Sequence, residues 1–177
     1  MKAGALSNVD IKRLFAQLNE QLAAEEVEGE IYLVGGAVMC LVHEARESTR
    51  DVDAFFKPAK QLRTAAAKVA LRNGLSEDWL NDAVKGFLSD HGSFNLYLQL
   101  SHLTIYAADP SYLLAMKCLS ARIGEEFHDV DDLRYLLRYL NLTSAAEARA
   151  IIERYYPLDR FPQKTLYLLE GLLPAEI

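Results

Sequence analysis

The chain predicts a mixed α/β protein of the α+β kind: a small mixed sheet with flanking helices, followed by a helical C-terminal portion. Three observations carry this. Short β-prone runs alternate with amphipathic helical periodicity over the first hundred or so residues; helical periodicity alone continues after Asp109; and 51% of the 177 residues are apolar, enough for a real core. The division falls at residues 1–108 and 109–177, with the two parts expected to pack as one folding unit.

Ser7 or Asn8 caps a first helix over residues 8–25, in which Val9, Ile11, Leu14, Phe15, Leu18 and Leu22 recur at helical spacing. A β-rich run at 31–34, an apolar helix at 37–43, a polar turn and a strand at 51–56 follow. Pro58 opens a helix over 59–72, which Asn73-Gly74 stops, and a shorter helix is expected over 77–87. Alternation at 94–100 and a β-like run at 103–107 supply two further strands. Pro110 then opens the first of four helices, at 110–123, 130–140, 144–155 and 163–172.

Composition narrows the function classes. A net charge of −6 argues against non-specific DNA binding by the whole surface, while leaving room for a local basic patch at Arg46, Arg50, Lys57 and Lys60 and for a specific polynucleotide acceptor. Cys40 and Cys118 lie in apolar segments without ligand spacing and read as buried reduced thiols, which suits a reducing cytoplasm. No apolar run of signal-peptide length precedes Asp10, Lys12 and Arg13, and no stretch reaches the roughly 18 apolar residues of a membrane span. The expectation is a cytoplasmic protein with no membrane partner. The four histidines, His43, His91, His102 and His128, are scattered and claim no metal or acid/base role.

The residues that look most like chemistry are Asp51 and Asp53. At i and i+2 of an extended segment they share one face, roughly 7 Å apart at Cα, while Val52 turns into the core. Such a pair suits a divalent cation whose shell is completed by phosphate oxygens. Upstream, Gly35-Gly36 between strand and helix lets backbone N–H groups approach an anion at the positive end of that helix. The structural alternatives are a tight turn for the glycines and a solvated strand end, paired with Arg46, Arg50 or Lys57, for the aspartates.

The succession Leu33-Val34-Gly35-Gly36, Thr49-Arg50-Asp51-Val52-Asp53, Trp79-Leu80-Asn81-Asp82, then Leu113-Leu114-Ala115-Met116-Lys117 leading to Ala121-Arg122, Asp129 and Asp132, resembles the polymerase-β-like nucleotidyltransferase superfamily. More narrowly, it is similar to small bacterial members of that superfamily, among them the abortive-infection-type toxins and their uncharacterised relatives, over roughly residues 31–137. The resemblance implies a nucleotidyltransferase fold in which Asp51 and Asp53 hold Mg²⁺ as the catalytic pair. It implies further that Gly35, Gly36, Thr49, Arg50 and Lys117 contact the NTP, and that a later aspartate, Asp129 or Asp132, accompanies the lysine. A protein or RNA acceptor would receive the nucleotidyl group.

The chain departs from the superfamily pattern at the third carboxylate: residues 103–107 carry none, and residues 94–100 offer only Asn95 and Gln99. Asp82, Asp109 or Asp129 could complete the site from elsewhere. A non-catalytic binding module on the same fold, antitoxin-like or regulatory and docking a partner protein, is the alternative function. Lys117 can equally snorkel from a half-buried helix face, Asn81 and Asp82 can form the polar face of a helix, and Asp129, Asp131 and Asp132 can cap one.

Overall fold

The computed structural model describes residues 4–122 and 128–173, so Ile123 and Gly124, at the end of the helix expected over 110–123, lie outside it, as do Met1, Lys2 and Ala3. The fold is α+β: seven α-helices, a five-stranded mixed sheet and a two-stranded ribbon among the described residues. Compact packing separates residues Met1–Gly86 with Phe94–Ala108 from residues Phe87–Ser93 with Asp109–Ile177.

In the first unit, β1 (Leu6–Ser7) leads into α1 (Asn8–Ala24). Ser7 caps that helix through a capping box with Asp10, each side chain answering the other's backbone N–H. Then follow β2 (Gly29–Leu33), α2 (Gly35–Leu41), β3 (Ser48–Thr49), β4 (Val52–Lys57) and α3 (Ala59–Asn73), whose end is the left-handed Gly74. Strands β5 (Leu80–Asn81), β6 (Phe94–Gln99) and β7 (Leu103–Ala108) complete the sheet in the order β5-β4-β2-β7-β6. Pairing is antiparallel for β2 with β4 and β6 with β7, and parallel for β2 with β7 and β4 with β5.

Strand alternation divides the sheet's residues between two faces. Ile31, Leu33, Val52, Ala54, Phe56, Leu103 and Ile105 are buried on one, where α1 packs against β7 and α3 against β4. Asp53, Phe55, Tyr32 and Tyr106 fall on the other: Tyr32 stacks on Tyr106 at 4.9 Å and lies 5.7 Å from Phe55. Val52 is fully buried, as its position between two aspartates requires.

The helix expected over residues 77–87 is not formed. A 3₁₀ turn (Glu77–Trp79), β5 and a second 3₁₀ turn (Ala83–Phe87) occupy the segment instead. Trp79 explains the break: its indole Nε1–H donates to the Ala66 carbonyl at 2.9 Å in a buried position on α3, anchoring the chain so that Leu80 and Asn81 run beside Val52 and Asp53. The tertiary anchor overrides local helix propensity.

The second unit holds α4 (Pro110–Ser120), α5 (Asp129–Tyr139), α6 (Ala145–Ile152) and α7 (Gln163–Leu172). Asp109 caps α4, accepting from the Ser111 N–H, and Ser144 caps α6. α6 ends at Ile152, three residues short of the expected Tyr155, in turns at Arg154 and Tyr155 ahead of Pro157. Ser89 binds this unit twice, its N–H donating to the Tyr112 hydroxyl at 2.9 Å and its Oγ to the Tyr155 carbonyl at 2.5 Å. Among the described residues no helix is long and apolar enough to cross a membrane.

Candidate functional site

The glycine turn and the aspartate strand meet. Val34, extended, precedes α2, and its N–H donates to the Asp53 carbonyl at 3.0 Å, so the end of β2 and the start of β4 are tied at the turn itself. Gly35 has φ +65°, a conformation costly for a residue with a Cβ, and a Cβ placed there would lie 3.3 Å from Asp53 Oδ2. Gly36 is crowded from the other side. Its Cβ would stand 2.6 Å from Arg46 Nη1 and 2.7 Å from Thr49 Oγ1. The arginine tip can swing away, but Thr49 is buried, and its Oγ1 donates to the Asp51 carbonyl at 3.2 Å. One glycine makes the turn beside Asp53, and the other lets the segment carrying Asp51 close over it.

Asp51 stands in the bend just ahead of β4 rather than within the strand. Two anchors fix its approach. Thr49 is held in the ribbon of β3 with β1, paired to Leu6, and Asn81 donates from Nδ2 to Asp51 Oδ2 at 3.2 Å. Asn81 is also the register partner of Asp53 across β4 and β5. In a parallel ladder such partners share a face, so Asp53 and Asn81 lie together there and Asp51 reaches the same group. Sequence reading places Asn81 on a helix; its role emerges only when Trp79 pulls the segment onto the sheet edge.

Arg50 is exposed and, with Asp51, borders a cleft of about 130 Å³ whose other walls include Leu6, Leu75, Ser76 and Trp79. Asp82, the next residue after Asn81, turns to two cations, Arg63 at 2.6 Å and Lys85 at 2.8 Å. The hydrogen bond from Lys85 leads in holding its carboxyl below the usual range, with Arg63 adding its charge. Among the described residues, no group of three His, Cys, Asp or Glu side chains gathers where a metal could be held. The donors offered by Asp51 and Asp53 are carboxylate oxygens, which suit a hard cation such as Mg²⁺ with the rest of its shell supplied by water and phosphate.

Lys117, Asp129 and Asp132 are brought together in the second unit. All three are buried, and the Lys117 ammonium lies 3.2 Å from Asp129 and 2.7 Å from Asp132. Asp129 and Asp132 are one helical turn apart on α5 and present both carboxylates to the same point on α4. Arg122 closes the group, its backbone N–H and Nε reaching Asp129 Oδ2 at 3.0 and 3.1 Å. Burial pushes the Asp129 carboxyl up, but the Lys117 charge and the Arg122 hydrogen bonds outweigh it and hold that carboxyl below its ordinary value. Lys117 therefore does not snorkel to solvent. Asp109, the remaining candidate for a third carboxylate, is engaged as the α4 cap.

Cys40 and Cys118 are both buried thiols, neither in a disulfide, and burial pushes Cys118 up to about 12. No protein-family model, curated protein or solved structure matches the chain.

Proposed function

We propose that the chain is a Mg²⁺-dependent nucleotidyltransferase of the cytoplasm, moving a nucleotidyl group from an NTP to a protein or RNA acceptor. The observation that carries this is the fit of the glycine turn to the carboxylates: Gly35 is left-handed, a Cβ on it would meet the Asp53 carboxylate at 3.3 Å, and Val34 beside it bonds to the Asp53 carbonyl, so phosphates seated at the turn would lie beside the aspartate pair. In the transfer, an acceptor hydroxyl oxygen bonds to the α-phosphorus as the bond to the β-phosphate oxygen breaks and pyrophosphate leaves, the hydroxyl proton passing to solvent or to a carboxylate of the pair. Mg²⁺, when bound, neutralises charge developing on the entering and leaving oxygens. Asp51 and Asp53 hold the cation, Gly35 and Gly36 admit the phosphates closely, Thr49 fixes the Asp51 backbone, and Arg50 supplies an exposed cation for the substrate.

Calorimetry with Mg²⁺ and each of the four NTPs tests the proposal. Metal-dependent binding is expected with at least one nucleotide. Asp51→Ala and Asp53→Ala should abolish binding and transfer while melting close to the parent, since neither side chain fills the core. Variants that bind and transfer like the parent refute the assignment.

One observation favours a second reading: the side chain beside Asp53 on β5 is the neutral Asn81, not a carboxylate. A non-catalytic binding module tolerates that replacement. It predicts no heat with Mg²⁺ and NTP, and a stable complex with a partner protein instead.

A further inference from the structure

We infer that Asn81 is a positioning residue that orients Asp51 toward a single protein-held divalent cation, an inference that rests on the nucleotidyltransferase reading. Three features converge on it. Strand β5 is only two residues long and adds little to the sheet except to place Leu80 beside Val52 and Asn81 beside Asp53. The Asn81 amide donates to Asp51 Oδ2 at 3.2 Å, and the same Nδ2 lies 3.4 Å from the Asp78 carbonyl, so the amide's rotation is set from two directions. The backbone that carries it is locked in turn, with the Trp79 indole bonded to Ala66 and Trp79 and Leu80 both buried.

An amide at this position has a chemical consequence that an acid would not. It donates an N–H to a carboxylate, which an ionised carboxylate in its place has no proton to do. Asp51 lies in the bend just ahead of β4, and the donor from Asn81 restricts its carboxylate, so that less rotational freedom is left for cation binding to remove. A neutral third side chain also leaves the protein with two formal negative charges beside the cation, enough to hold one divalent ion. Asp82, one residue later, is not interchangeable with Asn81, because its carboxylate is engaged by Arg63 and Lys85.

Mn²⁺ binding, followed by electron paramagnetic resonance in the presence of a non-hydrolysable NTP analogue, tests this on the full chain, with Asn81→Ala, Asn81→Asp and Asp51→Ala as variants and thermal melting as the control for folding. The parent should hold one Mn²⁺ that Asp51→Ala loses. Asn81→Ala should weaken that affinity several-fold and broaden the bound-metal spectrum, as Asp51 loses its orienting donor. Asn81→Asp should tighten Mn²⁺ binding on the order of tenfold, because affinity for hard cations rises with the number of carboxylate ligands. If the parent and Asp51→Ala behave as stated but Asn81→Ala binds Mn²⁺ like the parent, the positioning role is overturned whatever Asn81→Asp does, and the nucleotidyltransferase reading stands. If the folded parent binds no Mn²⁺ with any of the four analogues, that reading falls and the role of Asn81 falls with it.

Discussion

A methyl group at residue 35 meets two obstacles at once, and they can be measured separately. The first is conformational: Gly35 has φ +65°, where a Cβ crowds the following carbonyl at a cost of about 1–2 kcal/mol. For a chain of 150–250 residues each kcal/mol moves the melting temperature by about 2–4 °C, so Gly35→Ala should melt about 2–8 °C below the parent. The second obstacle is local. The new Cβ would sit 3.3 Å from Asp53 Oδ2 and 3.7 Å from Asp53 Cβ, so the aspartate must shift by a few tenths of an ångström. Gly35→Asn separates the two effects, because asparagine tolerates the left-handed region several-fold better than most residues yet carries the same Cβ. Melting temperatures should fall in the order glycine, asparagine, alanine, whereas Mg²⁺-dependent nucleotide binding should weaken equally in both variants. Gly35→Ala melting with the parent would refute the conformational argument. Normal nucleotide binding by both variants would break the proposed link between the turn and the carboxylates.

The remaining predictions concern the second unit. Lys117→Met removes the buried cation that Asp129 and Asp132 share and should cost about 3–5 kcal/mol in chemical denaturation, much of it recovered when Asp132→Leu is added; an additive double variant would refute the pairing. Because Asp129 is depressed on folding, its stabilisation is fully present above the ordinary value of 3.8 and is lost as pH falls through the lower folded value. Asp129→Asn should therefore flatten the acid limb of the stability curve, and an unchanged acid midpoint would contradict the assignment. Cys118, pushed up to about 12, has a thiolate fraction of roughly 1 in 10,000 at pH 8 and should resist aromatic disulfide reagents until denaturant is added; rapid labelling of the native chain at this residue would show that its burial is wrong.

Much of the fold is legible along the chain because its signals are local. Ser7 with Asp10, Gly74, Pro110 and Ser144 mark helix ends through bonds or dihedral preferences that involve only a few neighbouring residues, and α7 runs over 163–172 as its periodicity predicts. The segment around Trp79 is different. Its apolar and polar residues suit a helix, and the indole bond to Ala66, 13 positions away, decides otherwise. Lys117 is ambiguous for the same reason, since a lysine among leucines can surface or find a partner, and the partners Asp129 and Asp132 become neighbours only when α5 packs against α4.

The sequence by itself determined the α+β class, the helix boundaries set by caps and prolines, and the two aspartates flanking a buried valine, because residue type and spacing encode each of these within a few positions. Only the tertiary structure decided that Gly35 leaves little room for a side chain beside Asp53, that Gly36 leaves none beneath Thr49 and Arg46, and that Asn81 reaches Asp51. Those contacts join four segments between residues 35 and 81, and their distances depend on how β2, β4 and β5 align in one sheet. Register is a property of paired strands, fixed by what the helices bury beneath them and by the anchor at Trp79, so no single stretch of the chain contains it.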